Sequence, residues 1–258
     1  MDNGLLQSVD NALQILEVFS EESAELGVSE ISKRMGLGKS TVHRLLATME
    51  KRGFVEQNPG TTKYRLGIKT VHLGAVVLRQ LNIIRESRPH IKKLSHITGE
   101  SAHLALYSQG EITFVDKVTG KNPAKMGSTI GVKLPAYCTA TGKVLLSFLP
   151  DAEREETLAK NRLKRFTPHT IVNIDLLRQE LIQIRLLGYA EDQQEAEEGL
   201  VCFAAPVKNI AGEVIAAISV SGAASRMNER KNEFIPLIRD AADMISRACG
   251  CCPSIERR

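Results

Sequence analysis

Hydrophobic positions recur at helical spacing three times before Gly53. Ser8 is placed to cap a helix in which Val9, Leu13 and Leu16 recur at i, i+4 and i+7, the stripe of an amphipathic helix. Ser29 is placed to cap a second, shorter one, SEISKRMG, with Ile31 and Met35 four apart; Gly36 and Gly38 end it and permit a tight turn. A third runs from about Lys39 to Arg52, with Val42, Leu45, Leu46 and Met49 on one face. Beyond Gly53 the segments Phe54-Val55 and Tyr64-Leu66 flank Pro59-Gly60, which predicts a β-hairpin. Two short helices joined by a glycine turn and followed by a hairpin make a winged helix-turn-helix over residues 1–66.

Residues 67–86 carry no turn signal except Gly74, and Ile68, Val71, Val76, Leu78, Leu81 and Ile84 make them apolar around most of a helix circumference. Such a helix needs partners on more than one side, so a linker helix packed against a second subunit is the economical reading. Ser87 and Pro89 are read as opening another helix that ends at Gly99. From Ser101 onward the pattern is mixed. SAHLALYS and EITFVDKV read as strands joined at Gln109-Gly110, and LVCFAAPV and EVIAAISVSG as a buried hairpin around NIAGE. KVLLSFL, DAEREETLAKN, IDLLRQELIQIRLLG and a last segment from about Asn228 to Ala248 read as helices. Strands and helices without regular βαβ alternation predict an α+β domain with a mainly antiparallel sheet over residues 87–258.

Charge sharpens the reading of the first domain. The net charge of +4 over 258 residues says little, but its distribution is uneven. Residues 1–32 hold no Lys or Arg and carry Asp2, Asp10, Glu17, Glu21, Glu22, Glu25 and Glu30. Residues 33–65 hold Lys33, Arg34, Lys39, Arg44, Lys51, Arg52, Lys63 and Arg65 against Glu50 and Glu56 alone. This basic stretch could face an anionic polymer or be a solvated helix face. Packing the apolar face of the third helix inward leaves Lys39, Ser40, Thr41, His43, Arg44 and Thr48 outward, near the end that enters a major groove. Thr61, Thr62, Lys63 and Arg65 on the hairpin add groups for backbone or minor-groove contact. DNA binding is the expectation; a winged helix used only for protein contacts is the alternative.

Other chemistry is thinly supported. There is no GxGxxG, and GLGKST is too short for a Walker A loop. Five cysteines (Cys138, Cys202, Cys249, Cys251 and Cys252) are odd in number and widely spaced, which argues against a secreted disulfide scaffold. Cys249, Cys251 and Cys252 make a poor metal site without a fourth ligand, so no metal and no cofactor is expected. Cys138 or Cys202 could be paired with His103 as a nucleophile, but nothing places them together, so the protein is read as no enzyme. No apolar run approaches the roughly 18 residues that span a bilayer, and no basic segment precedes an apolar one at the start, so no membrane contact and a cytoplasmic location are expected. In KLPAYCTATGK, Leu134-Pro135 breaks a strand and Thr139, Thr141 and Gly142 start a helix. Its free N–H groups would favour a carboxylate, with ordinary capping as the alternative.

SVDNALQILEVFSE, VSEISKRMGLGKSTVHRLLATMEKRGFVEQ, KYRLGIKTVHLG, LPAYCTATGKVLLS and EEGLVCFAAPV…GEVIAAISVSG followed by Arg226 together resemble the IclR family of transcriptional regulators, over about residues 5–250. The resemblance implies a winged helix-turn-helix, a linker helix and a C-terminal GAF-like α/β domain that binds a small effector. It also implies a homodimer or homotetramer on a double-stranded DNA operator. It places the effector pocket at the loop from Leu134 to Gly142, including Ala140 and Thr141, at Asp192, and at the strand carrying Leu200 and Cys202. Ser219 and Ser221 share one face of the next strand and would add hydroxyls, and Met126 would close the apolar side. The acidic run around Asp192 has a solvated loop as its alternative. Tyr137 and Cys138 stand where many relatives carry His and a small residue, which implies a pocket of different size and polarity.

The function expected is therefore a DNA-binding regulator, a repressor by preference, whose operator affinity responds to an organic-acid or aromatic metabolite. A small-molecule-modifying enzyme with a vestigial winged helix and a protein-interaction adaptor are the alternatives.

Overall fold

All three N-terminal helices form in a computed structural model, which describes residues 6–19, 24–80, 82–121, 123, 129–160 and 162–251. They are α1 (Gln7–Glu17), α2 (Val28–Met35) and α3 (Lys39–Lys51). Of the stripe expected of α1, Leu16 packs against the core but Val9 and Leu13 do not. Val9 and Leu13 are 52% and 57% exposed, while Ile15 and Phe19 enter the core. Ile15 and Phe19 also stand four apart and are the bulkier pair, so turning them inward removes more apolar area from water. The caps differ too. Leu6, not Ser8, precedes α1, and α2 starts at Val28 behind Gly27, whose N–H donates to Glu30 Oε2 at 2.7 Å. Gly36 closes α2 at φ +66°, a conformation that favours glycine and makes the turn into α3.

Strands β1 (Val55–Gln57) and β2 (Tyr64–Leu66) pair antiparallel as the wing. Leu26 and Tyr64 exchange both backbone hydrogen bonds, at 2.9 and 2.8 Å, which ties the wing to the loop before α2. Ile31, Val42, Leu46, Met49, Val55 and Tyr64 close one core with Ile15 and Phe19. Helix α4 (Ile68–Gln80) follows, with Ile68, Val71 and Leu73 exposed; the side chain of Leu78, like Leu81 itself, lies outside the described residues.

The chain divides into two units, Met1–Gln80 and Leu81–Arg258. The helix expected to open at Ser87 and Pro89 is α5 (Asn82–Thr98), with Pro89 in its interior. It starts earlier because Ile83 is itself buried in the second unit's core beside Ile91 and Leu94.

The second unit is built on six antiparallel strands: β3 (Ser101–Ser108), β4 (Glu111–Val118), β5 (Lys133–Pro135), β6 (Ala190–Gln193), β7 (Leu200–Lys208) and β8 (Val214–Ala223), ordered β5-β4-β3-β8-β7-β6. Alternation sends Leu104, Phe203, Ile218 and Val220 to one face, where α5 and α10 (Lys231–Ala248) cover them. The opposite face carries Ala105, Ala204 and Ala217 beneath α6 (Ala140–Phe148) and α8 (Ile174–Leu187). Helix α7 (Asp151–Lys160) lies between α6 and α8 in the chain. The last helix is split, with a short α9 (Ala224–Glu229) before α10. Small residues on the α6 face let that helix come close. A Cβ at Gly142 would stand only 2.2 Å from the Ala136 carbonyl oxygen, so the turn leading into α6 folds backbone to backbone against its first turn.

Candidate functional site

Two surfaces carry chemistry, one in each unit. On α3, burial of Val42, Leu46 and Met49 turns Lys39, Ser40, Thr41, His43, Arg44 and Thr48 to solvent, while Leu45 is half-buried. Among the described residues, the side chains of Lys39, His43 and Arg44 enter no hydrogen bond or ion pair. Gly38 stands before the helix, so the first-turn N–H groups of Lys39 and Ser40 also face outward without an intrahelical acceptor. This arrangement suits a phosphate near the helix start and base edges along its outer face.

The wing is arranged differently. Lys63 Nζ lies 3.4 Å from Glu30 Oε2, and Arg65 Nε lies 2.6 Å from Glu56 Oε1. Arg65 Nη1 is 3.7 Å from Glu25 Oε1, and Thr61 Oγ1 donates to Glu25 Oε2 at 3.0 Å. Hydrogen bonds from Asn58 and Thr61 hold the Glu25 carboxyl below its ordinary range, and the Gly27 N–H does the same for Glu30. Two members of the acidic N-terminal stretch therefore fold back onto the wing and occupy three of its candidate DNA-facing groups.

In the second unit, Leu134, Ala140, Thr141, Asp192, Leu200, Cys202, Ser219 and Ser221 line one cavity of about 30 Å³. Met126 lies outside the described residues. Four further residues share the lining, His103, Phe114, Thr139 and Ala196. The register explains the gathering. His103 stands opposite Ser219 across β3 and β8, Cys202 opposite Ser221 across β7 and β8, and Asp192 opposite Cys202 across β6 and β7. These alternate with the residues that fill the α5–α10 core, so they all emerge beneath α6. Thr139 caps α6 by accepting from the Gly142 N–H at 3.1 Å, leaving Ala140 and Thr141 N–H groups in the first turn without intrahelical acceptors.

Asp192 is 2% exposed on a strand, not in a solvated loop. Burial drives its carboxyl up to about 7, only partly offset by the Glu195 N–H, which donates to Oδ1 at 2.6 Å. His103, fully buried, tilts against Phe114 with ring centroids 5.1 Å apart. Burial lowers it to about 3, so the imidazole is neutral at physiological pH, with Ser221 Oγ 3.5 Å from Nδ1. Burial likewise pushes the Cys202 thiol well up and Cys138 to about 12. His103 and Cys202 do meet at the cavity, but as a neutral ring and a thiol; the thiolate that nucleophilic catalysis uses is disfavoured there.

Lys143, fully buried in α6 behind the cavity lining, is a charged residue that sequence pattern does not single out. Its ammonium bonds Glu180 of α8 and Glu195, the latter at 2.5 Å from Oε1. Burial alone would favour the neutral amine, but the charges of Glu195 and Glu180 outweigh it and raise the Lys143 pKa. The available signal is a lone lysine heading the apolar run KVLLSFL. For His103 it is a polar residue within the apolar strand SAHLALYS. No group of three or more His, Cys, Asp or Glu among the described residues is arranged to hold a metal ion, and no described helix is long and apolar enough to cross a membrane.

Comparison with known proteins adds family relations to this geometry. The family model for the IclR helix-turn-helix domain matches residues 8–59, and that for the bacterial transcriptional regulator IclR C-terminal domain matches residues 75–247. The chain is 40% identical over 247 residues to the HTH-type transcriptional regulator XynR of Escherichia coli, covering 95% of this chain and 98% of that protein. It is 31% identical over 253 residues to the HTH-type transcriptional repressor AllR of Klebsiella pneumoniae, covering 97% and 92%. The crystal structure of an IclR homologue from Microbacterium hydrocarbonoxydans, complexed with 4-hydroxybenzoate, superposes with a TM-score of 0.81 at 25% identity, covering 94% of this chain and 99% of that one.

Proposed function

Since the chain belongs to the IclR family of HTH-type transcriptional regulators, we propose that it binds operator DNA through α3 and the wing and releases or tightens its hold when a small carboxylic acid occupies the cavity beneath α6. The observation that carries the reading is the cavity itself. It has hydroxyls from Thr139, Thr141, Ser219 and Ser221 and two first-turn N–H groups, beside apolar cover from Phe114, Leu134 and Leu200. That set matches a carboxylate with a short apolar body, and the homologue holding 4-hydroxybenzoate supports the class.

As it stands the cavity has room for about one or two water molecules, so a metabolite enters only if its walls part. A ligand that favours the parted state by its differential affinity shifts the population, and one that binds both states equally shifts nothing. The proposed assembly is a homodimer or a pair of dimers, because Ile68, Val71 and Leu73 on α4 are exposed and a two-fold operator calls for two recognition helices. Repression is the proposed sign, by analogy with AllR. The working compartment is the cytoplasm, where the DNA is.

Footprinting of the full-length protein on the DNA flanking its own gene, with and without acids selected by thermal shift, tests this. A protected near-palindromic site whose occupancy changes with one acid is expected. Salt-sensitive binding of equal strength to any duplex, unmoved by every acid, would refute it.

A further inference from the structure

The cavity, taken as the effector site just proposed, poses a problem of charge. None of its lining residues is Lys or Arg, and its one histidine, His103, is fully buried. Two ammoniums stand behind the lining: Lys143, which is committed to Glu180 and Glu195, and Lys117, which lies opposite His103 across β3 and β4 and lowers its pKa. Asp192, on the cavity wall, receives the Glu195 N–H directly. The cluster thus holds two buried carboxylates, Asp192 and Glu195, and the partly exposed Glu180 against one ammonium. The Glu195 Oε2 atom has no hydrogen-bond partner among the described residues. A ligand carboxylate would add a further negative charge to a site whose lining holds no cation to meet it. First-turn N–H groups of α6 offset only about half a charge.

We propose that this site takes up its carboxylate ligand together with one proton, and that Asp192 is the group that receives it. The surroundings select Asp192 over its neighbours. Glu195 and Glu180 keep Lys143 as their counter-ion and also line a wider groove of about 400 Å³ on their other side. Asp192 has no ion pair among the described residues and lines the closed cavity. The other titratable groups around it cannot supply the charge. On β7, Cys202 is a buried thiol; on β3, His103 is a buried neutral imidazole; before α6, Cys138 is a buried thiol. Glu197, farther along the loop, adds only negative charge. The displacement of the Asp192 carboxyl toward neutral pH by burial agrees with this position. In the balanced step, the ligand anion and one solvent proton enter, Asp192 becomes a carboxylic acid, and no net charge is added to the interior. Its new O–H can donate to the ligand, so the proton also becomes a recognition element. The consequence is an operator response that is stronger in acidified cytoplasm at equal ligand concentration.

Calorimetric titration of the full chain with acetate and with 4-hydroxybenzoate, in phosphate and in Tris buffer at pH 7 and pH 8, reads the proton from the buffer dependence of the heat. With an apo midpoint near 7, uptake of ~0.5 proton at pH 7 and ~0.9 at pH 8 is expected, with affinity roughly fivefold weaker at pH 8. In Asp192→Asn the uptake should vanish and the affinity should be level between the two pH values. Binding by the wild type with heat independent of buffer and affinity flat in pH would overturn the coupling while leaving the effector site standing. Heat from neither acid would remove the carboxylate site, and the coupling with it. The wild-type measurement decides the matter even if Asp192→Asn does not fold.

Discussion

The recognition helix and the cavity draw on the same kinds of side chain in opposite surroundings. On α3, Ser40, Thr41, His43 and Arg44 stand in water with their hydrogen-bonding groups uncommitted to the protein. Under α6, Ser219, Ser221, His103 and Asp192 are buried, and Lys143 is closed off completely. Water stabilises the first set, so its residues are free to be charged and cost the fold nothing. The second set has to be neutralised or paired by the protein, and its members are tied to stability as well as to binding. Substitutions on α3 should therefore alter function alone, whereas those beneath α6 should alter both.

The largest effect expected is at Lys143. Lys143→Met leaves Glu180 and Glu195 without their counter-ion and should destabilise the second unit by about 3–5 kcal/mol, with the winged helix unaffected. Urea unfolding followed separately in the two units checks this, and loss of both units together would contradict their independence. Next is Asp192. Its folded pKa of about 7 exceeds the ordinary 3.8, so the native state binds the extra proton between those values. Stability at this group is therefore greatest below about 4 and falls as pH rises toward 7. Asp192→Asn abolishes the fall, and its stability relative to the wild type should climb between pH 4 and pH 8 by as much as roughly 4 kcal/mol. A stability difference constant over that range would place Asp192 in a better-solvated site than its burial indicates.

On the exposed side, Arg44→Ala should weaken operator binding by about 1–3 kcal/mol while its unfolding midpoint stays put. A quantitative footprint unchanged from wild type would remove Arg44 from base readout. Lys63→Ala is expected to do least. Lys63 already faces Glu30, so its removal should weaken DNA binding by at most about 1 kcal/mol and flatten the salt dependence by less than one phosphate's worth. Glu30→Gln should do the reverse and steepen the salt dependence. A salt slope flattened by one whole phosphate in Lys63→Ala would show that the Lys63–Glu30 pair opens on DNA.

The same contrast decides how much could be read in advance. The helix-turn-helix was legible because its glycine punctuation and outward polar residues are local in sequence. Strands β3 and β4 were legible because apolar alternation bounded by Gln109-Gly110 leaves little choice of ends. On α1, Val9 and Leu13 are as hydrophobic as Ile15, so spacing alone does not say which of them joins Leu16 on the inner side; the partners across the core decide it. Strand β6 leaves a solvated loop open as an alternative to a pocket wall, since Glu191, Asp192 and Gln193 are all polar and its burial comes from β7 and α6, outside the run itself. The wing's ion pairs with Glu25 and Glu30 join segments more than thirty residues apart. The Lys143 triad spans three segments in the same way. Local pattern carries surface chemistry well, but buried chemistry is set by register.

The most direct test of a regulator with separate reading and sensing sites is to fill the cavity and watch the DNA. Ala140 and Cys202 both line it and neither lies in the winged helix, so Ala140→Leu and Cys202→Phe should occupy the ligand's space. Operator affinity and its response to the acid with the largest thermal shift are measured for both variants beside the wild type. Operator binding retained, at the level set by whichever state the filled cavity favours, with the response to the acid abolished is the predicted result. An undiminished response in both variants would contradict it, and would mean that the ligand acts from somewhere other than the space beneath α6.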